Sequence, residues 1–200
     1  MFVINPYRFD EAEESSVLYR INCGGPELTT DGFGNPIPST EPTWEEDSSS
    51  NPSQFLVVES GSPTNVITFT STSYAKDSSV PGYVPLDLFK SQRYQSGSGS
   101  QTPLRVYYKF PDTGTIPNGS YKINLFFSFD YWNGWVGFTR DMDVEIEGTK
   151  VLDYTETAEA TYICSMETFT VTITDGVLDL EFIKGTVQNP KIHGIEILAN

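Results

Sequence analysis

The chain has 200 residues, of which 12 are basic and 27 acidic, for a net charge of −15. That charge repels phosphate backbones and anionic headgroups, which excludes nucleic acid and membrane surfaces as partners. Aromatic residues at 14% are too many for a disordered acidic chain. With abundant Ser, Thr, Val and Ile they favour pleated sheet, and the length suits one all-β domain around a single core.

Residues 1–16 lack a basic leading segment and a long apolar core, so they read as a leader or linker and not as a secretory signal. No run of about 18 apolar residues is present to span a bilayer. The first convincing strand is 17–23, stopped by Gly24-Gly25-Pro26, and the domain is expected over 17–200 as a piece of a larger multidomain protein. From 27 to 53 the chain is rich in Pro, Gly, Ser and acidic residues, with Trp44 as its one large anchor. Trp44 either pins this loop to the body or offers its face to a ligand. Within the same loop, 31–35 (Asp-Gly-Phe-Gly-Asn) offers part of a calcium ligand set, though such turns commonly form without metal. No other cofactor is expected.

Short strands follow at 55–59 and 65–70, then an irregular section over 71–92 that carries Tyr74, Tyr83 and Phe89. Residues 96–100 (SGSGS) form a flexible tip, and 104–110 resumes as a strand. This strand pairs most simply with the one that follows Asn118-Gly119, a dipeptide suited to a primed hairpin turn. The same Asn118 opens an N-glycosylation pattern with Ser120.

Residues 118–135 organise the chain. Tyr121, Ile123, Leu125 and Phe127 alternate with Ser120, Lys122 and Asn124, while Phe126 and Phe129 break the polar side. A strand covered on both faces, in the middle of a sandwich, fits that pattern. It ends in Asp130-Tyr131-Trp132-Asn133, an aromatic and amide mixture able to stack on and hydrogen-bond to a sugar. The same aromatics could instead close the end of the sandwich. Met142, Val144 and Ile146 alternate with acids up to Gly148, and 151–154 starts another strand. Strands at 169–174 and 177–183 flank a second hairpin signal, Asp175-Gly176, and 192–198 is the last strand.

Chemistry for catalysis is sparse. The one histidine, His193, lies within a strand pattern, no Cys/His spacing suits zinc, and no Gly-rich phosphate loop is present. Cys23 and Cys164 are far apart in sequence and are read as two buried free thiols.

Several segments in the same order resemble the malectin domain, a carbohydrate-binding β-sandwich of the galactose-binding-like, jelly-roll type. They are 19–25, 43–47, 88–94, 117–132, 140–148, 175–185 and 189–197, with Met142 where an aromatic is usual. The resemblance implies an antiparallel β-sandwich and a non-enzymatic lectin-like module. It also implies an α-linked, glucose-containing di- or oligosaccharide as ligand. Carried over by position, the ligand-binding residues are Trp44, Tyr74, Tyr131, Trp132, Gln188 and Asn189. Gln188 stands where the family has an aspartate, so the side chain can still donate and accept but lacks the charge that strengthens a hydroxyl contact. An extracellular or secretory-lumen location follows if the parent protein is secreted. The rival reading is a protein-interaction domain of a larger surface or receptor protein, since exposed Tyr and Trp also anchor protein partners.

Overall fold

The computed structural model describes residues 16–58, 64–70, 73–96, 104–129, 139–156 and 162–200. Of the expected leader only Ser16 is described, and it opens the first strand. Tyr131, Trp132 and all of the 96–100 tip but Ser96 lie outside the described residues.

Three sheets make the body, with strands numbered in chain order. The largest has six strands in the order β2 (Glu45–Asp47), β1 (Ser16–Cys23), β13 (Gly194–Ala199), β7 (Gly119–Ser128), β10 (Ile163–Ile173) and β4 (Ala75–Lys76). Facing it is a four-stranded sheet of β6 (Arg105–Phe110), β11 (Leu178–Lys184), β8 (Arg140–Ile146) and β9 (Thr149–Glu156). A three-stranded sheet of β12 (Lys191–Ile192), β5 (Ser91–Tyr94) and β3 (Asn65–Thr68) completes it. All pairings are antiparallel except the short β1–β2 and β4–β10 contacts. The class is the all-β sandwich read from the sequence.

Alternation along each strand builds the main core. Ile123, Leu125 and Phe127 of β7, with Ile195 and Ile197 of β13, meet Val106, Tyr108 and Phe110 of β6 and Leu178, Leu180 and Phe182 of β11, all fully buried. The other face of the six-stranded sheet is covered as well. There Phe126 and Cys164 pack with Trp44, Tyr74, Val84, Leu88 and Phe89, supplied by loops and the 3-10 helix Leu86–Lys90. Phe126 thus breaks the polar side of β7 because a second apolar layer lies over it. Both cysteines are free and buried, one in each layer.

A polar row crosses this second face where register aligns Arg20, Glu196, Asn124 and Thr168 on four neighbouring strands. Arg20 Nε donates to Glu196 Oε1 at 2.9 Å, Asn124 Nδ2 to Glu196 Oε2 at 2.8 Å, and Thr168 Oγ1 to Asn124 Oδ1 at 2.8 Å. Glu196 is wholly buried, and this chain of donors replaces the water it has lost.

Both expected hairpins need correction. Strand β6 does not pair with β7; it pairs with β11, while β7 lies between β13 and β10. Neither Asn118 nor Gly119 has positive φ. Asp175-Gly176 likewise joins strands of different sheets, β10 and β11. The two crossings between sheets are fastened to each other, with Ile116 N to Gly176 O at 2.7 Å and Asn118 Nδ2 to Thr174 O at 2.8 Å. The hairpin with two positive-φ residues is β8–β9, at Glu147 (φ 52°) and Gly148 (φ 65°). Glu147 is held there by its backbone N–H to Asp179 O at 3.0 Å and by the Asp179 N–H to its Oε1 at 2.7 Å. Of the expected strand at 55–59, residues 55–58 are described, and they make only an isolated bridge, from Leu56 to Tyr108.

Candidate functional site

At one end of the sandwich the turn 185–190 leans against the three-stranded sheet and leaves a cleft of about 150 Å³. Its lining includes Phe69, Gln92, Tyr94, Arg140, Gln188 and Asn189. Gln92 and Tyr94 stand two apart on β5 and therefore share a face, and Ile67 lies beside Gln92 by register.

The turn is shaped from β8. Asp141 Oδ2 accepts the Thr186 N–H and hydroxyl, each at 2.8 Å, and Oδ1 accepts the Val187 N–H. The Thr186 donors first, and then that of Val187, hold the Asp141 carboxyl below its ordinary range. Next to it, Arg140 donates from Nη1 to the Asn189 carbonyl and from Nε to Glu156 Oε2 at 3.1 Å. Glu156 Oε1 takes Lys191 Nζ at 2.8 Å, and Lys191 also donates to the Ser128 carbonyl. One buried carboxylate therefore ties the 189 turn to the end of β7, the strand that leads into residues 130–135.

Two features mark this cleft as unfinished. Gln188 sits at φ 64°, a left-handed conformation that costs a non-glycine residue energy and tends to persist at functional positions. Gln92 is 5% exposed, yet its Oε1 has no hydrogen-bond partner among the described residues. The same holds for both carboxamide atoms of Gln95, whose backbone N–H reaches Pro190 O at 3.2 Å, and for Ser128 Oγ. Buried polar atoms left unpaired cost about 1–3 kcal/mol each, so such groups beside a cleft are groups a ligand can satisfy.

The residues named from the sequence do not all converge here. Gln188 and Asn189 line the cleft. Trp44, 1% exposed, packs edge-on against Phe126 with ring centroids 5.4 Å apart, so it pins its loop as the first of the two sequence readings holds. Tyr74, 7% exposed, packs against Tyr162 in the same second layer. Neither offers an open stacking face. Tyr131 and Trp132 lie outside the described residues. Gln92, Tyr94 and Arg140 went unnamed as site residues; the usable signal was a Gln and a Tyr two apart on a short strand, which puts an amide and an aromatic on one face.

Elsewhere, Asp31 accepts the backbone N–H groups of Phe33 and Asn35 on Oδ1 at 2.9 and 2.8 Å, so its own turn occupies that oxygen. Among the described residues no three His, Cys, Asp or Glu side chains form a group able to hold a metal ion. Nor is any described helix long and apolar enough to cross a membrane.

The fold and its loop-built end define a class, the β-sandwich with a cleft at one edge. Within that class the chain matches the family model of the Malectin domain over residues 17–195 and belongs to that family. No curated protein sequence matches it. Among solved structures it is similar to the ANXUR1 extracellular domain from Arabidopsis thaliana, at TM-score 0.71 and 14% identity over 92% of this chain and 48% of that one. It is similar also to a chain in the complex of the plant peptide RALF23 with FER and LLG2, at TM-score 0.66 and 14% identity over 92% and 48%. A Bacteroides uniformis beta-glucuronidase 2 shares the fold at TM-score 0.56 and 14% identity, over 91% of this chain and 18% of that one. At such identities the likeness concerns the fold alone, and the chain spans about half the length of the plant chains it matches.

Proposed function

We propose that this domain is a recognition module of a larger, extracellular or receptor-type protein, and that its end cleft takes a peptide or protein segment. The observation that carries this reading is Gln92, which lines the cleft together with Phe69, Tyr94, Gln188 and Asn189 and whose buried Oε1 has no partner among the described residues. A peptide N–H supplies the donor that acceptor lacks, and an aromatic side chain suits the Phe69–Tyr94 wall. Supporting it are the burial of Trp44 and Tyr74, which removes two of four aromatics from a sugar platform, and the peptide complex among the similar structures. The matching experiment is selection of a displayed peptide library on the immobilised domain. Selected peptides should lose about tenfold in affinity with Gln92→Leu and should not be displaced by free maltose.

A neutral, glucose-containing oligosaccharide is the second reading, favoured by the meeting of Gln188, Asn189 and Tyr94 in one cleft. A glycan array separates the two. Binding that maltose competes for and that Trp132→Ala abolishes would replace the peptide reading with this one.

A further inference from the structure

The end cleft differs in charge from the rest of this acidic chain. Among the described residues Arg140 is the one charged group in its lining, and no carboxylate borders it. Three other clefts, of about 370, 430 and 390 Å³, are lined by three, four and two carboxylates, and in each the acids outnumber the bases. Asp141 follows Arg140 in sequence, but strand alternation turns it to the other face of β8, where Thr186 and Val187 occupy its oxygens.

Arg140 is held in place with part of its guanidinium unused. Glu156 is its register partner on β9 and accepts from Nε at 3.1 Å, and the Asn189 carbonyl accepts from Nη1. Nη2 donates to nothing among the described residues. Glu156 also takes Lys191 Nζ at 2.8 Å, so one buried anion is shared by two cations and leaves Arg140 with less than a full counter-charge. The side chains of Tyr94, Gln188 and Asn189 make no hydrogen bond to described residues either, so a phenol and two carboxamides add donors around the same space. Beside them the buried Gln92 Oε1 is an acceptor in need of a donor.

We propose, on the basis of the peptide reading above, that the group this cleft takes is the free carboxylate at the C-terminus of a peptide. The carboxylate meets Arg140 Nη2, the backbone N–H of the same last residue goes to Gln92 Oε1, and its apolar side chain lies on the Phe69–Tyr94 wall. A volume of about 150 Å³ is half of the roughly 300 Å³ at which small-molecule sites begin, so it suits one end residue and not a chain running through. An internal Asp or Glu brings a carboxylate as well, but its side chain is then lost to the aromatic wall. The net charge of −15 repels an acid-rich ligand, whereas a single carboxylate on an otherwise neutral chain meets mainly the local field of Arg140.

The wild-type domain should be titrated by two-dimensional NMR with three peptides: acetyl-Gly-Gly-Phe with a free C-terminal carboxylate, the same peptide as its C-terminal amide, and the amide of acetyl-Gly-Glu-Gly. The free acid should shift the amide signals of Gln92, Tyr94, Gln188 and Asn189 and bind about tenfold more tightly than the other two. Arg140→Lys, which keeps the charge but loses the fork, should weaken the free acid about fivefold and leave the amidated peptide unchanged. A purely structural role for Arg140 would weaken both alike. Equal binding of acid and amide, with Gln92→Leu weakening both, would overturn the carboxylate assignment and leave the peptide reading standing. Equal binding of the internal-glutamate peptide would overturn the terminal source. Shifts from maltose with none from any peptide would remove the peptide reading itself.

Discussion

Gln92 carries opposed demands. As an acceptor without a partner it weakens the free domain, and as a lining group of the cleft it serves a ligand. Gln92→Leu, nearly the same in shape, should therefore raise unfolding free energy by about 1 kcal/mol in urea titration while binding at the cleft falls. A residue with a purely structural role would lose both together. Asp141 gives a second test at this scale. Its folded carboxyl lies below the ordinary value of 3.8, so what it contributes is complete above that pH and is lost as pH falls through the lower folded value. The amide signals of Thr186 and Val187 should titrate with a midpoint below pH 3.8, and Asp141→Asn should abolish the movement. A midpoint at or above 3.8 would show that the turn is not held by this carboxylate.

At the scale of elements, what the sequence revealed followed hydrophobic period, and what it concealed followed sheet membership. β6 and β8 were legible because alternating side chains report a buried face directly, and β1, β7 and β13 because β-branched, aliphatic and aromatic residues concentrate in them. Their partners were not. Asn118-Gly119 and Asp175-Gly176 have the composition of tight hairpins, yet both lie where the chain passes from one sheet to the other, a choice made by the packing of whole sheets. Glu147-Gly148 was missed for the converse reason: Glu is a poor candidate for positive φ, and only its two hydrogen bonds to Asp179 keep it there. A methyl group added at Gly148 would meet open space, so Gly148→Ala tests backbone cost alone. It should destabilise by about 1–2 kcal/mol, read from the urea midpoint, without disturbing the end cleft. Of the residues carried over from a known pattern, Gln188 and Asn189 line the end cleft, while Trp44 and Tyr74 lie in the second apolar layer. That placement was not legible, because an aromatic in a polar loop looks the same in sequence whether it faces solvent or a buried layer.

For the whole molecule, that second layer decides where stability concentrates. The centre of the six-stranded sheet, β13 and most of β7, is buried on both sides, while the four-stranded sheet keeps an acidic outer face on β8. Amides of β7 and β13 should therefore exchange with solvent deuterium slowest, close to the rate set by global unfolding, with those of β9 and the short β2 and β4 exchanging sooner. Uniform exchange across both sheets would contradict this division of the core.

The pairing of Ser16 with Ala199 places the two ends of the β1–β13 ladder side by side. Tension applied between those two points loads its hydrogen bonds singly, in the manner of a zipper, instead of sharing the load among all of them. A domain can thus be firm against heat and denaturant and still yield to a modest pull. Arg20 and Glu196 stand on β1 and β13 themselves, so such a load would part that buried ion pair early, before it reached the end cleft.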